Sequence, residues 1–253
     1  MNINQPDTKH IPLLRKLWKE AFGDTDIFLD SFFSTAFSPK RCRCVFENNI
    51  PLAALYWFDC EYSGQPLAYL YAIATAASHR GQGLCKQLME NTQKHLKNLG
   101  YSGALLVPAE SSLFDFYKEL GYTTTCHLQE FTCTAEEQNL SLRLISSEEY
   151  ASLRRKYLPA GSVVQEGENL AFLQTEYDFY AGQNFLLAAK ITGNRLYGVE
   201  LLGNTKIASG LVHALNCTEG LFRVPGSDKP FAMYLPLSQD TQASPSYLGF
   251  AFD

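Results

Sequence analysis

The stretch from Leu67 to Leu99 constrains this chain more than any other. Leu67 to Thr75 is an apolar run of strand length, His79-Arg80-Gly81-Gln82-Gly83 reads as a tight turn, and Leu84 to Leu99 has helical periodicity that stops at Gly100. A helix that starts this way exposes amides with no intrahelical partner and carries a partial positive charge at its start. Phosphate groups fit such a terminus. Gly81 and Gly83 keep side chains out of the approach and permit turn dihedrals that other residues avoid. Arg80 adds a guanidinium, which pairs well with phosphate. The same glycines also suit an ordinary strand-to-helix turn, and a short glycine turn alone does not separate the two readings.

Composition bounds the rest. The 253 residues suffice for one large domain or two of ordinary size. Apolar residues make up 46% and aromatics 13%, enough for real cores, and the net charge of −5 argues against nucleic acid as the main partner. No apolar run reaches membrane-spanning length, and Met1 to His10 has no signal-peptide core. Seven cysteines without an export signal read as free thiols of a cytoplasmic protein. Cys42-x-Cys44 places two thiols on one face of a strand. With no second Cys or His pair at metal spacing, they read as core thiols and no metal site is expected. Cys85, at a helix start, reads first as a small packing residue and second as a thiol of lowered pKa.

Along the chain, Thr8 to Phe22 and Ile27 to Phe37 have helical spacing, the second with an aromatic face. Arg43–Phe46 and Leu52–Cys60 form a hairpin about Asn48-Asn49. Leu84, Leu88, Thr92, Leu96 and Leu99 set one stripe of the long helix on the sheet. Gly103–Val107 is the next strand, and Ser112-x-x-Asp115 caps a helix that Gly121 closes. Two short strands follow, Tyr122–Thr125 and Leu128–Thr132. Residues 135–140 are the linker. Beyond them come a capped helix from Ser146 to Tyr157, a helix through Leu170 and Tyr180, and a hairpin about Gly193-Asn194. A helix from Thr205 to Leu215 and strands at Gly220–Val224, Pro230–Leu237 and Tyr247–Phe252 complete the order. It loosely repeats the first half. The expected architecture is α+β: a mixed sheet flanked by helices in domain 1–134, and a degenerate second copy in 141–253.

Arg80-Gly81-Gln82-Gly83-Leu84-Cys85 resembles the pyrophosphate loop of the GNAT N-acetyltransferase superfamily. Ile73-Ala74-Thr75 resembles the end of that family's fourth strand, and Tyr117-Lys118-Glu119-Leu120-Gly121-Tyr122 its closing helix signature. Two positions depart from the pattern: Cys85 replaces Gly or Ala, and Glu110 replaces Asn. The resemblance implies acetyl-CoA as co-substrate and an amine of a small molecule or peptide as acceptor, with direct attack in a ternary complex. It assigns the backbone of Ile73, Ala74 and Thr75 to pantetheine and that of Arg80 to Cys85 to the diphosphate. It assigns the role of proton donor to the leaving sulfur to Tyr117. The base is open among Glu110, His79, Glu61 and the carboxyl terminus at Asp253, with Glu110 the leading candidate. In the second half, Leu202-Gly203-Asn204-Thr205-Lys206 has no paired glycines and no arginine, so no second cofactor site is expected. Tandem acetyltransferases of the enhanced-intracellular-survival type resemble this order, but continue into a sterol-carrier-like unit that these residues do not include. The rival reading is a non-catalytic acyl-CoA-binding module whose second half serves a partner.

Overall fold

In the computed structural model, residues 1–238 and 243–251 are described. In chain order the elements begin with β1 (Asn2–Asn4), α1 (Ile11–Phe22), α2 (Asp26–Thr35), β2 (Cys42–Glu47), β3 (Ile50–Tyr62), β4 (Gln65–Thr75) and α3 (Leu84–Asn98). Next are β5 (Gly103–Leu106), α4 (Ser112–Glu119), β6 (Thr123–Thr134), β7 (Leu142–Leu144), α5 (Ser147–Tyr157), β8 (Val164–Gln165) and α6 (Glu168–Leu173). The chain then runs through β9 (Asp178–Gly182), β10 (Phe185–Thr192), β11 (Arg195–Gly203), α7 (Ala208–Ala214), β12 (Glu219–Pro225) and β13 (Lys229–Pro236). The result is the expected class, mixed sheet flanked by helices.

Compactness divides the chain into Met1–Thr123 with Met233–Ala243, and Thr124–Ala232 with Ser244–Asp253. A single cut at 135–140 therefore does not describe how the chain is partitioned. The expectation rested on two short strands closing the first half. Instead residues 123–134 form one strand, β6, which pairs antiparallel with β12. The first unit's last strand is supplied by Met233–Pro236, antiparallel to β5. A strand's sequence records its alternation but not which edge it joins.

In the first unit, β1 to β4 pair antiparallel in order and β5 runs parallel to β4 across the α3 crossover. Asn48 and Asn49 both take positive φ, as the β2–β3 turn requires. Leu84, Leu88, Met89 and Leu96 of α3 pack with Trp57, Leu70, Leu106 and Tyr117 in one core. Leu99, expected in that stripe, is exposed, because the helix has ended at Asn98. The aromatic faces of α1 and α2 pack on β3 and β4. Trp18 lies 4.7 Å from Phe32, 5.2 Å from Tyr56 and 5.5 Å from Tyr71, centroid to centroid. Cys42 and Cys44 are both fully buried, Sγ to Sγ 3.7 Å. Among the described residues no group of three or more metal-ligating side chains gathers, and no helix is long and apolar enough to cross a membrane.

In the second unit, β7, β9, β10 and β11 pair antiparallel in that order. β12 runs parallel to β11, and β6 flanks β12. The helix expected through Tyr180 stops at Leu173. Residues 178–182 are drawn into β9 by pairing with β10. The expected strand at 247–252 makes only a bridge from Tyr247 to Ser162, and Phe252 lies outside the described residues. Ser146 caps α5 as expected, accepting from the Glu149 amide.

A buried ion pair holds this unit's C-terminal segment. Arg154 donates through Nε and Nη2 to Glu200 at 2.8 and 3.0 Å, and also to the carbonyls of Val163 and Leu248 and to Gln165. Glu200 further accepts from Tyr150 and Tyr247, each at 2.9 Å. Burial alone pushes the guanidinium pKa down, but the Glu200 carboxylate more than reverses it, so Arg154 stays charged. Gly249, at φ 87°, passes so close that a Cβ there would collide with Glu200 and Arg154. Removing one partner strands the other charge, so Arg154→Ala costs about 3–5 kcal/mol in denaturant unfolding. The double variant Arg154→Ala/Glu200→Ala costs less than the sum of the two singles, by about 0.5–3 kcal/mol.

Candidate active site

β4 and β5 part early. Their parallel register covers Leu67–Tyr69 against Gly103–Leu105, yet β4 continues to Thr75 while β5 ends at Leu106. Beyond Tyr69, β4 has no strand partner on that side among the described residues, so its backbone groups line a slot. Within the same stretch the pairing to β3 slips. Ala54 faces Ala74 and Tyr56 faces Tyr71, so Ala72 and Ile73 together oppose Leu55. This is a β-bulge, and Ala72 sits in it at φ 48°. A non-glycine residue in that region carries of order 1 kcal/mol of strain or more. Bulges re-aim backbone groups, here at the mouth of the slot. Nothing in the Tyr71-Ala72-Ile73-Ala74 string marks it in advance, beyond small residues at two positions.

The glycine turn lies at the end of this strand. Gly81 and Gly83 take φ 75° and 78°, both left-handed. A Cβ at Gly81 would meet nothing within 4 Å, and one at Gly83 would reach only Gln87 Nε2, at 4.0 Å. The glycines are therefore set by dihedral, and the space outside them is open. Gly83 is the N-cap of α3 and offers no side-chain cap, so the first amides of a helix of 15 residues point outward unsatisfied by a cap. Arg80 is exposed, and its Nε donates to the Thr75 carbonyl at 3.2 Å, which anchors the guanidinium at the strand end. Gln82 folds back onto the Ser78 carbonyl. Thr75 Oγ1 is buried and has no hydrogen-bond partner in the protein among the described residues. The turn is braced from α1, where the Glu20 carboxylate accepts from the Ala77 amide at 2.7 Å. No sequence signal pointed to Glu20, one polar residue of a helix surface.

Tyr117 lies in α4 and is buried in the core that holds Leu88 and Tyr122. Its carbonyl accepts from the amides of Leu120 and Tyr122, and Gly121 at φ 91° closes the helix. The Tyr-x-x-x-Gly-Tyr spacing is thus a helix C-terminus that fixes where the ring sits. Burial, and secondarily the nearby Cys85 thiol, pushes the phenol well above its ordinary pKa. Both influences raise the Tyr117 pKa, so the ring stays protonated at neutral pH. Cys85 is likewise pushed up, to about 11, by burial. The helix terminus acts the other way but is worth only about 0.3–1 kcal/mol at ordinary sites, less than one pKa unit.

Glu110 is exposed on the loop before α4, where Oε2 accepts from Ser112 Oγ at 3.4 Å. The capping box expected at Ser112 is absent: the N-cap is Ser111 and makes no side-chain cap bond. Glu110 and the buried Tyr117 are not linked by a hydrogen bond. His79 Nδ1 is engaged with Ser78 Oγ at 2.8 Å. Asp253 lies outside the described residues. Ile73, Cys85 and Tyr117 pack in one core, and Glu110 is hydrogen-bonded to none of the three.

The family described as an acetyltransferase (GNAT) domain matches residues 2–125. No curated relative matches the chain. Among solved structures, a conserved protein from Enterococcus faecalis V583 superimposes with TM-score 0.74 at 14% identity, over 93% of this chain and 72% of that one. A GCN5-related N-acetyltransferase from Kribbella flavida gives TM-score 0.70 at 14% identity over 92% and 70%. Eis1 from Mycobacterium abscessus gives 0.69 at 11% over 94% and 74%. At these identities the likeness is one of fold.

Two measurements check the geometry. Ala72→Val forces a β-branched residue into the left-handed bulge and costs about 1–3 kcal/mol in chemical denaturation, whereas Ala72→Gly is neutral within about 1 kcal/mol. Cys85 remains a thiol until the pH approaches about 11. Its alkylation by iodoacetamide, followed peptide by peptide in the folded protein, is slow at neutral pH and accelerates only toward that value.

Proposed function

We propose, on the match of residues 2–125 to the GNAT acetyltransferase domain, that this chain moves an acetyl group from acetyl-CoA to the amine of a small molecule or peptide, by direct attack with both bound. The observation that carries the reading is the alignment of an open strand edge with an uncapped helix start. The slot beside β4 ends where Gly81 and Gly83 leave room before α3. These residues fit the co-substrate. The orphaned Thr75 Oγ1 and the unpaired edge of β4 suit a polar, strand-like chain such as pantetheine. The amides from Gly81 to Cys85, with Arg80, suit a diphosphate.

When bound, acetyl-CoA supplies an activated thioester whose C–S bond breaks as the amine nitrogen takes the acetyl group. The protein's part is electrostatic and positional. The backbone of Ile73, Ala74 and Thr75 would hold the chain along β4. An amide re-aimed by the bulge would donate to the acetyl oxygen. Such a donor is worth roughly 10²–10³ in rate. Tyr117, kept neutral by burial, would donate a hydrogen bond to the departing sulfur. Full proton transfer from a phenol this weakly acidic to a thiolate is uphill. Glu110 stands in water, so its carboxylate would pass the amine proton on to solvent.

The second unit shares the strand order and the parallel crossover of the first, which supports reading it as a degenerate copy. It supports no second nucleotide site. Between β11 and α7, Asn204 Oδ1 already accepts from the Lys206 amide, and α7 has only 7 residues.

Calorimetry with coenzyme A, paired with thiol release over polyamines, aminoglycosides and peptides, tests the reading. Arg80→Ala weakens coenzyme A binding by about tenfold, the scale of one charge-assisted contact. Tyr117→Phe lowers kcat by about 10-fold or more, within the range of general acid assistance, while acetyl-CoA affinity changes by less than about 3-fold. Affinity lost in step with kcat in a folded Tyr117→Phe protein removes the assigned role. Binding without turnover across the whole panel supports the non-catalytic acyl-CoA-binding module instead.

A further inference from the structure

We propose that Glu20 is a positioning residue for the diphosphate of acetyl-CoA. By holding the Ala77 amide, its carboxylate sets the turn that carries Arg80, Gly81 and Gly83. The inference rests on the acetyl-transfer reading above and adds to it a residue on a different element, α1.

The turn needs support from outside. Ala77, Ser78, Arg80, Gly81, Gln82 and Gly83 are all exposed, so none of their side chains ties the turn into a core. A segment with few buried contacts opens locally at low cost. Several of its hydrogen bonds are internal. The His79 amide donates to the Ala76 carbonyl at 2.8 Å, the Arg80 amide to the Ala77 carbonyl at 3.4 Å, and Gln82 Nε2 to the Ser78 carbonyl at 3.3 Å. Arg80 Nε reaches back only to Thr75, at the end of β4. Among the described residues, two hydrogen bonds tie 76–82 to elements other than β4. The Ala76 amide donates to the Leu52 carbonyl of β3 at 2.8 Å, which continues the β3–β4 pairing. The Ala77 amide donates to Glu20 Oε1 at 2.7 Å. The second bond is charge-assisted and therefore the stronger kind.

Glu20 stands where a helix by itself does not favour it. It lies in the last turn of α1, beside Lys19, and is exposed. The C-terminal end of a helix carries partial negative charge, which opposes a carboxylate there. The Ala77 amide accounts for the placement: a carboxylate is an acceptor, and the turn presents it with a donor. The platform behind Glu20 is firm. Leu14, Leu17 and Trp18 of α1 are buried, and Trp18 packs against Tyr56 of β3 and Tyr71 of β4. A group held on such an element fixes what it binds. The effect passes to Arg80 through one peptide unit, since Ala77 donates to Glu20 through its N–H and accepts the Arg80 amide through its carbonyl. Glu20 also places a negative charge near an anion site, and that charge by itself works against a diphosphate. Glu20→Gln separates the two effects: it keeps an acceptor oxygen at the same reach and removes the charge.

The test is calorimetry of coenzyme A on the full chain, with Glu20→Ala, Glu20→Gln, Arg80→Ala and the double variant Glu20→Ala/Arg80→Ala. Glu20→Ala keeps the wild-type circular dichroism and melting temperature, as expected of an exposed position. It weakens coenzyme A binding by about tenfold, the scale of one charge-assisted contact. Glu20→Gln binds within about threefold of wild type, because the amide keeps its acceptor. In the Arg80→Ala background, Glu20→Ala costs a further factor of about three or less, because the group it positions is gone. The role is overturned if Glu20→Ala binds like wild type, if Glu20→Gln binds as poorly as Glu20→Ala, or if the loss is as large without Arg80 as with it. Wild-type protein that fails to bind coenzyme A removes the acetyl-transfer reading and this role together. Wild-type binding with an unresponsive Glu20 series removes this role alone.

Discussion

Three residue pairs hold β4 to β5, and what the first unit can present to a ligand follows from their ending there. A strand inside a sheet that loses its neighbour leaves amides and carbonyls without partners, each worth about 1–3 kcal/mol if buried dry. Such an edge is tolerable only where water or a ligand reaches it. β4 extends six residues past the last pair, through the bulge at Ala72 and Ile73, to the turn at Arg80. Strand edge, bulge and helix start thus fall in one line because one strand carries all three to its end. The rest of the unit packs that strand from both faces. The aromatic layer of α1 and α2 presses on one face, and the α3–α4 core on the other.

The second unit repeats the parting without the chemistry at its end. β11 leaves β12 after Gly198 and bulges at Val199, as β4 leaves β5 after Tyr69 and bulges at Ala72 and Ile73. Where the first chain turns through two left-handed glycines into a helix of 15 residues, the second has one, Gly203, whose Cβ would meet the Asn184 carbonyl and the Tyr157 ring. That glycine is spent on packing, not on opening space. The helix start is occupied by the Asn204 side chain. A shared backbone defect, the splayed parallel pair, therefore has two outcomes. In one unit it leads to a helix start with no side-chain cap and open space before it. In the other it leaves a concavity lined by Tyr177, Lys190, Thr192, Tyr197 and Arg223 among others.

Much of this was legible in the residues, and the limits have physical causes. Periodicity located α1, α3, the β2–β3 hairpin and the β10–β11 hairpin, since amphipathic stripes and paired turn residues are local. Gly81 and Gly83 were legible because only glycine takes φ near 75° cheaply. Tyr117 was legible through Gly121 and Tyr122, which fix its register at a helix end. What is not local was lost. Residues 123–134 alternate like a closing strand of the first unit, and nothing in them says that they pair with β12. Tyr177 and Tyr180 keep helical spacing from Leu173, yet pairing with β10 outweighs that spacing. Ser112 and Asp115 have the letters of a capping box, but Ser111 holds helical dihedrals at the cap and the box does not form. The Glu20 brace and the Arg154–Glu200 pair join residues 57 and 46 positions apart, a separation no motif spans.

For the proposed transfer, the protonation of Tyr117 and Cys85 decides which roles are open to them. Both groups are pushed up by burial, and the nearby Cys85 thiol adds to the rise at Tyr117. At neutral pH both therefore carry their protons. A phenol in that state is a reliable hydrogen-bond donor and a poor acid. In the proposed reaction its contribution to a departing thiolate would be stabilisation in place, with the proton reaching sulfur later from water. That division suits the rest of the site. The bulge, the strand edge and the helix start are all fixed dipoles, and none of them titrates. Charge developing along the strand would meet a row of preset donors, and an exposed carboxylate such as Glu110 would serve only to pass on the amine proton.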